Sequence, residues 1–298
     1  MKKTFDNLDP NSGPDAVQDG MDEHAIEDEQ GDVEKPKDWL PDGTEQTDYL
    51  KKEKEWVGLD RRLGNPRILD HPYFWEVIDW VQKEHGDNPD ELSYFEAGVG
   101  HGNDFRAIRN KLDGKGRFLG VDMSEAEIFR GLDFYQEQED TGEARKQFAQ
   151  GDLTDLRHVN VWNAEQEDYS EPAEIEDGEF DLAYMEAVLH GLGYGRGTYQ
   201  EKKEAAQQVL NELNRICKEG AKFFGRTSTF DESLTKEQQM ELLRDTDNWR
   251  FVPGFQEFEE MLKEAGFKDI KVKLAPHPRA ETDPNKKNIL KLSFLAHK

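Results

Sequence analysis

Three closely spaced glycines, Gly98, Gly100 and Gly102, follow a short apolar segment and precede a helical pattern. Glycine lets the backbone approach a ligand closely and adopt dihedral angles that other residues resist. The N-terminus of the following helix would offer unpaired N–H groups to a carboxylate or a phosphate. Asp122 and Asp152 come at the ends of the next two predicted strands. Asp122 is suited to accept hydrogen bonds from both ribose hydroxyls of an adenosine ligand, and Asp152 from an exocyclic amine.

Alternating strands and helices would bring these residues together. The pattern predicts strands at 92–96, 117–121, 147–150, 180–185 and 221–225, and helices at 103–112, from 124 onward and at 200–218. Ser124 with Glu127, and Thr235 with Gln238, are spaced as capping boxes that begin helices. The alternation implies an α/β fold, a Rossmann-like parallel sheet with helices on both faces, which binds ligands beyond the carboxyl ends of its strands.

The C-terminal part departs from this alternation. After a helix predicted at 254–265, two strands at 267–274 and 288–296 follow each other with only a polar loop between them. Two strands without an intervening helix can pair antiparallel. We therefore expect a parallel sheet that ends in a C-terminal antiparallel hairpin.

The spacing of the glycines separates two cofactor classes. In the G-x-G-x-x-G pattern of dinucleotide-binding domains the third glycine would fall at position 103, which is Asn103. Here the glycines run G-x-G-x-G, and Glu96 stands two places before the first. A carboxylate there would disfavour a pyrophosphate, yet it could receive a ligand ammonium through water or backbone. The pattern therefore favours S-adenosylmethionine over NAD.

Several motifs together carry a resemblance to one superfamily. They are Glu96–Gly102, Leu119–Asp122, Gly151–Leu153, Phe180–Leu192 and Glu259–Phe267. In this order and at these intervals they resemble the motifs of class I S-adenosylmethionine-dependent methyltransferases, over about residues 91–298. The resemblance implies S-adenosyl-L-methionine as cofactor but says little about the substrate. Because the acidic composition disfavours nucleic acid, we expect a small-molecule methyl acceptor.

The same resemblance implies which residues hold the cofactor. Gly98 and Gly100 would lie against its methionine part and ribose, Asp122 would hold the ribose, and Asp152 with Leu153 would hold the adenine. Asp152 has an alternative role, which is to cap the turn at Leu153 and Thr154. The full set of implied cofactor-binding residues is Glu96, Gly98, Gly100, Gly102, Asp122, Met123, Asp152, Leu153 and Met185.

The residues after the fourth and fifth strands would face the acceptor. Glu186 and His190 are four apart and would share one face of a helix, and His190 has a pKa suited to acid–base work. His190 could instead only bond backbone at a helix end. Arg226 follows a buried strand, so it needs an anionic partner, either on the substrate or an internal Asp or Glu. Tyr194 completes the catalytic candidates.

A short segment, Phe223–Asp231, is distantly similar to the glycine N-methyltransferase group. That similarity implies that Arg226 receives the carboxylate of a small amino acid. Since methyl transfer from a sulfonium is an in-line displacement, the main task of such a site is alignment.

Composition restricts the partners. The 298 residues contain 65 Asp and Glu against 39 Lys and Arg, for a formal net charge of -26. Such a surface repels nucleic acid at ordinary salt. At about 1 M salt the repulsion is screened, so the composition also favours a halophilic source. A single cysteine, Cys217, rules out an internal disulfide and a thiolate zinc cluster, and no bilayer-spanning run or secretory signal appears, so we expect a cytoplasmic protein without a metal.

The chain divides into three parts by composition. Residues 1–47 form an acidic tail of low order, and its alternative role is a lid or an arm that clasps a second copy in a homodimer around Trp39 and Leu40. Residues 48–90 form a small helical cap, in which Tyr73, Phe74 and Trp75 either pack against the main domain or line the acceptor pocket. Residues 91–298 form the cofactor-binding domain.

Two other function classes fit less well. A nucleic-acid or protein methyltransferase would need other acceptor motifs, and base-methylating members commonly carry an Asn/Asp-Pro-Pro-aromatic motif where this chain has Met185-Glu-Ala-Val. A methyltransferase-like domain that binds without catalysis, acting through its acidic tail, is the non-enzymatic alternative.

Overall fold

The structure is a computed structural model that describes residues 66–133, 146–189, 192, 198–245, 251–277 and 287–298. The predicted tail, residues 48–65 of the predicted cap, His190 and Tyr194 lie outside these residues. The described helices are α1 (Phe74–His85), α2 (Asn103–Lys111), α3 (Glu125–Asp133), α4 (Tyr199–Ile216), α5 (Lys236–Asp245) and α6 (Phe255–Glu264). Two 3₁₀ turns, Arg67–Asp70 and Pro89–Glu91, flank α1.

One nine-stranded sheet organises the described chain, in the order β5-β4-β3-β2-β1-β6-β7-β9-β8. Its strands are β1 (Ser93–Ala97), β2 (Arg117–Asp122), β3 (Phe148–Gly151), β4 (Val159–Asn163), β5 (Asp168–Ala173), β6 (Phe180–Glu186), β7 (Cys217–Phe230), β8 (Lys268–Pro276) and β9 (Ile289–His297). The five adjacent strands β3, β2, β1, β6 and β7 are parallel to one another. Strands β8 and β9 form the antiparallel hairpin beside β7. The predicted fold class is confirmed.

Both faces of the sheet are covered, as the near-continuous apolar sequences of β1 and β6 require. One face packs Tyr94 and Tyr184 against Phe74 of α1 and Phe105 of α2. The opposite face packs Phe95, Met185 and Phe294 against α4 and α6, among others through Leu213 and Phe258. Because β1 lies between β2 and β6, the connections diverge at its carboxyl end, which is where such sheets bind ligands.

The structure differs from the predicted elements at the two sheet edges. Strands β4 and β5 were not predicted, because their alternating polar and apolar residues, as in Val159–Asn163, are short and half-exposed. They pair antiparallel beside β3. Strand β7 was predicted to cover only 221–225, yet it runs to Phe230, because β9 pairs with it as far as Phe230. Of the described helices, none is long and apolar enough to cross a membrane.

A buried histidine fastens the segment before α1 to the sheet. Tyr73 N–H donates to His71 Nδ1 at 3.2 Å, so Nε2 carries the proton and donates to the carbonyl of Gly225 at 2.8 Å. Burial lowers the pKa of His71 to about 4, so the ring is neutral. Phe74 and Tyr73 are also buried, whereas 57% of Trp75 is exposed. The first two therefore pack against the main domain, which was one of the two predicted roles.

We expect His71→Ala to lower the free energy of unfolding by about 2–4 kcal/mol, because it empties a site between aromatic rings and leaves two backbone groups unpaired. The ring of Phe224 lies 5.2 Å away, centroid to centroid. Urea unfolding would measure the change. His158→Ala is the matched control, since His158 is exposed and should cost less than about 0.5 kcal/mol. Equal effects of the two substitutions would contradict this role.

Candidate functional site

The glycine loop lies at the carboxyl end of β1, where the strand order diverges. Gly98, Gly100 and Gly102 have φ of 68°, 48° and 67°, in the left-handed region that favours glycine. The N–H groups of Gly98 and Val99 both donate to the carbonyl of Val121, at 2.8 and 3.1 Å. A Cβ atom on Gly98 would lie 2.4 Å from Val188 Cγ2, whereas one on Gly100 would meet no described atom within 4 Å. Among the residues that the structure describes, none covers the backbone at Gly100, which leaves it accessible to a ligand.

Asp122 ends β2 and closes this loop. Its Oδ2 accepts the N–H of Gly100 at 2.8 Å, and its Oδ1 accepts the N–H of Ser124 at 2.9 Å. Burial raises the pKa of Asp122, and the two backbone hydrogen bonds partly offset the rise. Each carboxylate oxygen keeps a second lone pair. The predicted ribose-binding acid thus also fixes the loop and begins α3.

The edge formed by β2 and β3 presents the residues predicted to hold an adenine. Asp122 pairs with Gln150 in the sheet, so Met123 and Asp152 leave the same edge. Met123 is 38% exposed, while Leu153 is buried. Asp152 Oδ1 accepts the N–H of Thr154 at 2.8 Å, so it caps the turn, the alternative role considered for it.

Met185 and Glu186 come at the carboxyl end of β6, next to the glycine loop. Met185 is buried and pairs with Ala97, the residue before Gly98. Ala187 follows with a φ of 61°, a conformation that costs an alanine about 1–2 kcal/mol. The Ala187 N–H donates to the carbonyl of Arg226 at 2.9 Å. This strained turn places the Val188 side chain against Gly98, and the Glu186 carboxylate lies at the edge of the sheet.

Three carboxyl groups and two tyrosine hydroxyls share the α1/α2 face at this edge. The Tyr94 hydroxyl donates to Glu96 Oε2 at 2.6 Å. The Tyr184 hydroxyl lies 3.1 Å from Glu186 Oε2 and 3.5 Å from Asp104 Oδ2. We call these five residues the carboxyl cluster. Their side chains are contributed by β1, β6 and the first turn of α2, so the sheet and the glycine loop together bring them into contact.

Burial dominates the protonation of the carboxyl cluster. It raises the pKa of Glu96 well above its usual range, and the neighbouring Asp104 raises it further. Burial also raises the pKa of Asp104 to about 6, although the N–H of Ile68, which donates to Asp104 Oδ1 at 2.8 Å, opposes the rise. Glu96 and Asp104 therefore take up a proton more readily than exposed carboxylates do.

Cationic side chains line the outer side of Glu186. Arg67 Nη1 lies 3.9 Å and Lys291 Nζ 3.8 Å from Glu186 Oε1. Arg226 on β7 is the backbone neighbour of Glu186 on β6 in the sheet. The Arg226 guanidinium donates to the carbonyl of Arg67 at 2.9 Å and to Ser293 Oγ at 3.3 Å. Arg226 thus has two neutral hydrogen-bond partners in the described chain, a carbonyl and a hydroxyl, and neither is a carboxylate. Its other N–H groups can bind an anionic ligand.

The structure brings most of the predicted site residues to one edge of the sheet. Sequence analysis missed Asp104, Tyr184, Arg67 and Lys291. The signal for Tyr184 was its position two residues before Glu186 on one strand face, and Asp104 stood directly after Gly102 and Asn103. Arg67 and Lys291 had no local signal, because they reach Glu186 from segments 119 and 105 residues away in the chain. No described group of His, Cys, Asp or Glu could hold a metal ion.

The comparisons agree with this architecture. No family model and no curated protein matches the chain. Among solved structures it is similar to phosphoethanolamine N-methyltransferase 2 of Haemonchus contortus, with phosphomonomethylethanolamine and S-adenosylhomocysteine, at 17% identity and a TM-score of 0.52. The match covers 85% of this chain but only 57% of that one.

Two further structures are matched over more of their own length. A sarcosine dimethylglycine methyltransferase from Galdieria sulphuraria, described as putative, has 10% identity, a TM-score of 0.51 and coverage of 76% of this chain and 86% of that one. Geranyl diphosphate C-methyltransferase from Streptomyces coelicolor, with S-adenosyl-L-homocysteine bound, has 11% identity, a TM-score of 0.51 and coverage of 80% and 88%. At such identities the likeness concerns the fold, which is that of class I S-adenosylmethionine-dependent methyltransferases.

The raised pKa of Asp104 predicts a pH-dependent effect of Asp104→Asn on stability. The folded state binds the Asp104 proton more tightly than the unfolded state does. The contribution of protonated Asp104 to the free energy of unfolding is therefore fully present below about pH 4 and is lost as the pH rises through about 6. Asn can still accept the Ile68 N–H. Relative to the unmodified protein, the variant should therefore gain up to about 3 kcal/mol between pH 4 and 7, measured by urea unfolding.

Asp181→Asn is the matched control for this measurement. Asp181 is also buried and accepts a backbone N–H, from Ser93 at 2.9 Å. Burial alone would raise its pKa, but hydrogen bonds from Lys218 and Ser93 hold the pKa below its usual range. Its stability difference from the unmodified protein should stay level between pH 5 and 7. A level difference for Asp104→Asn as well would contradict the prediction.

Proposed function

We propose that this chain is an S-adenosylmethionine-dependent methyltransferase that transfers a methyl group in line to a small-molecule acceptor. The observation that carries the proposal is the left-handed glycine loop, closed by Asp122 at the diverging edge of a methyltransferase fold. This arrangement combines open backbone with a carboxylate at ribose distance from the loop. Structures of the same fold contain S-adenosylmethionine or S-adenosylhomocysteine.

The residues present fit that cofactor. The open space above Gly100 accepts a ligand against the backbone. Asp122 would bind the ribose hydroxyls, Met123 and Leu153 would contact the adenine with Asp152 accepting from its amine, and Glu96, Gly98, Gly102 and Met185 would surround the methionine part. The cofactor supplies an electrophilic methyl group on a sulfonium.

The acceptor in this proposal is a small amino acid that is methylated on nitrogen. Arg226 is the residue that would hold the acceptor carboxylate, since its hydrogen-bond partners in the described chain are a carbonyl and a hydroxyl. Glu186 would face the amino group, with His190 and Tyr194 from the adjoining segment. The net charge of -26 suits a protein that works in the cytosol at high salt.

A labelled-methyl screen is the direct test. The protein is incubated with methyl-labelled S-adenosylmethionine and either glycine, sarcosine or dimethylglycine, or a metabolite extract, at about 0.1 and 2 M KCl. We expect label in an N-methylated amino acid, with the higher rate at high salt. Label that enters only nucleic acid, protein or another acceptor class would reject the amino-acid proposal. Binding of S-adenosylmethionine with no transfer to any acceptor would favour the non-catalytic alternative.

Asp122→Asn should weaken S-adenosylmethionine binding by at least about tenfold, because the amide keeps only one of the two acceptor oxygens for the ribose and the loop. Isothermal titration calorimetry measures the dissociation constant, and circular dichroism checks that the variant is folded. Asp181→Asn, a buried carboxylate at the other end of β6, should bind normally. Unchanged affinity of a folded Asp122→Asn would overturn the ribose assignment.

Arg226→Gln should raise the KM for the amino-acid acceptor by about 10–100-fold and leave the affinity for S-adenosylmethionine unchanged, because a charged hydrogen bond to a carboxylate is lost. Gln can still donate to the Arg67 carbonyl or to Ser293. Steady-state kinetics and calorimetry measure the two quantities. A KM that stays constant would show that Arg226 does not bind the acceptor.

A further inference from the structure

The Tyr184 hydroxyl lies between two carboxyl groups that different elements contribute. One of them, Glu186, is at the carboxyl edge of β6 between the cations Arg67 and Lys291. The other, Asp104, is in the first turn of α2. The hydroxyl is 3.1 Å from Glu186 and 3.5 Å from Asp104, so it can donate to either carboxylate and accept from either carboxylic acid.

The two ends of this array have different charged neighbours. Arg67 Nη1 and Lys291 Nζ lie 3.9 and 3.8 Å from Glu186 Oε1, and Arg226 is the sheet partner of Glu186 on the neighbouring strand. Burial, with a smaller contribution from the Glu186 carboxylate, raises the pKa of Asp104 to about 6. Asp104 therefore takes up a proton more readily than an exposed aspartate does.

We propose that Glu186, Tyr184 and Asp104 form a proton relay that deprotonates an amine acceptor, which deepens the proposed function and rests on it. The acceptor then belongs to the class of amines that carry a proton at neutral pH. Such an amine cannot attack the methyl group until its nitrogen lone pair is free. An acceptor that attacks through a neutral or anionic sulfur or carbon would need no such path.

The transfer balances in two movements. The ammonium N–H proton passes to a Glu186 carboxylate oxygen. Glu186 then donates that proton to the Tyr184 oxygen, while the Tyr184 hydroxyl proton passes to Asp104 Oδ2, so that Tyr184 ends neutral. The free nitrogen forms its bond to the methyl carbon as the carbon–sulfur bond breaks, and the electron pair of that bond goes to sulfur. Asp104 returns its proton to solvent by the reverse path after the product leaves.

The charged and titratable groups around Asp104 come from every neighbouring element. The turn before α1 contributes Arg67, β1 contributes Tyr94 and Glu96, and β6 contributes Tyr184 and Glu186; the electrostatic neighbours of Tyr184 add Arg226 from β7. Arg67 faces both carboxyl groups, Lys291 lies next to Glu186, and the other neighbours of Asp104 are acids and phenols. Asp104 therefore has fewer cationic neighbours than Glu186, and this difference gives the relay its direction.

The pH dependence of methyl transfer tests the relay. With the full-length protein, saturating S-adenosylmethionine and glycine as the amine, kcat should rise with pH through a midpoint near 6 and then level off. In Asp104→Asn and in Tyr184→Phe that limb should disappear. At pH 7 the two variants should be slower than the unmodified protein by about 10²-fold or more. Their rate should still increase with pH as the pH approaches the pKa of the free amine. Asp104→Glu keeps a carboxyl group and should restore part of the rate.

The controls separate a relay from a structural effect. Tyr184→Phe keeps the ring that packs on Phe224, and calorimetric binding of S-adenosylmethionine should be unchanged in both relay variants. Asp181→Asn removes a buried carboxyl group at the opposite end of β6 and should keep the pH profile of the unmodified protein. ¹³C NMR of aspartate-labelled protein should show a carboxyl resonance that titrates near pH 6 and is lost in Asp104→Asn.

The outcomes distinguish the two proposals. An unmodified protein that methylates glycine, together with relay variants that keep the same rate and the same acid limb, overturns the relay alone. Transfer only to acceptors without an ammonium group, at rates insensitive to Tyr184→Phe, also overturns it. An unmodified protein that transfers no methyl group to any acceptor overturns the proposed function and the relay together. If Asp104→Asn does not fold, Tyr184→Phe and the NMR titration of the unmodified protein decide.

Discussion

The hydrogen bond from the Gly100 N–H to Asp122 is the contact on which the edge of this sheet depends. The loop between β1 and α2 contains three residues with left-handed backbone, and such a loop has many conformations open to it when unrestrained. The carboxylate of Asp122 ties the loop to the end of β2 while it also holds the first turn of α3. One side chain therefore sets the position of three elements, and the first turn of α2, which contributes Asp104, follows the loop directly.

The same edge illustrates a conflict between stability and chemistry. Burial, and to a smaller extent the charge of neighbouring carboxylates, raises the pKa of Glu96 and Asp104, which costs folding free energy at neutral pH. The cluster of Glu96, Asp104 and Glu186 nevertheless lies where the fold binds its ligands. Strain at Ala187 adds to this cost. Both features are explained if the surrounding core, rather than the site, supplies the stability.

Much of the framework was predictable from sequence, and the reason is local. The strand, glycine loop and helix from Ser93 to Lys111 have their signals within twenty residues, and the hairpin of β8 and β9 was indicated by two strands without a helix between them. The predicted capping box at Thr235 and Gln238 is also present, with both hydrogen bonds formed. Strands β4 and β5 were missed because a half-exposed edge strand has a weak hydrophobic pattern.

The inner part of the site was not predictable, because its contacts join distant parts of the chain. Asp104 accepts hydrogen bonds from the N–H of Ile68, 36 residues earlier in the chain, and from the hydroxyl of Tyr184, 80 residues later. Nothing in the sequence near Asp104 indicates either partner. The same holds for Asp122, whose type and place were predictable but whose bond to the loop required the backbone geometry of Gly100.

The position of β9 in the sheet has a consequence for the order of folding. β9 pairs on one side with β7 and on the other with β8, although both precede it in the chain. Until residues 289–297 have been synthesised, the edge of β7 that β9 covers, from Lys222 to Phe230, is unpaired, and β8 lacks the strand with which it pairs. Open strand edges are sites of intermolecular association. In the complete sheet β8 is the edge strand, and its charged side chains Lys268, Lys271 and Lys273 disfavour pairing with a strand of another molecule.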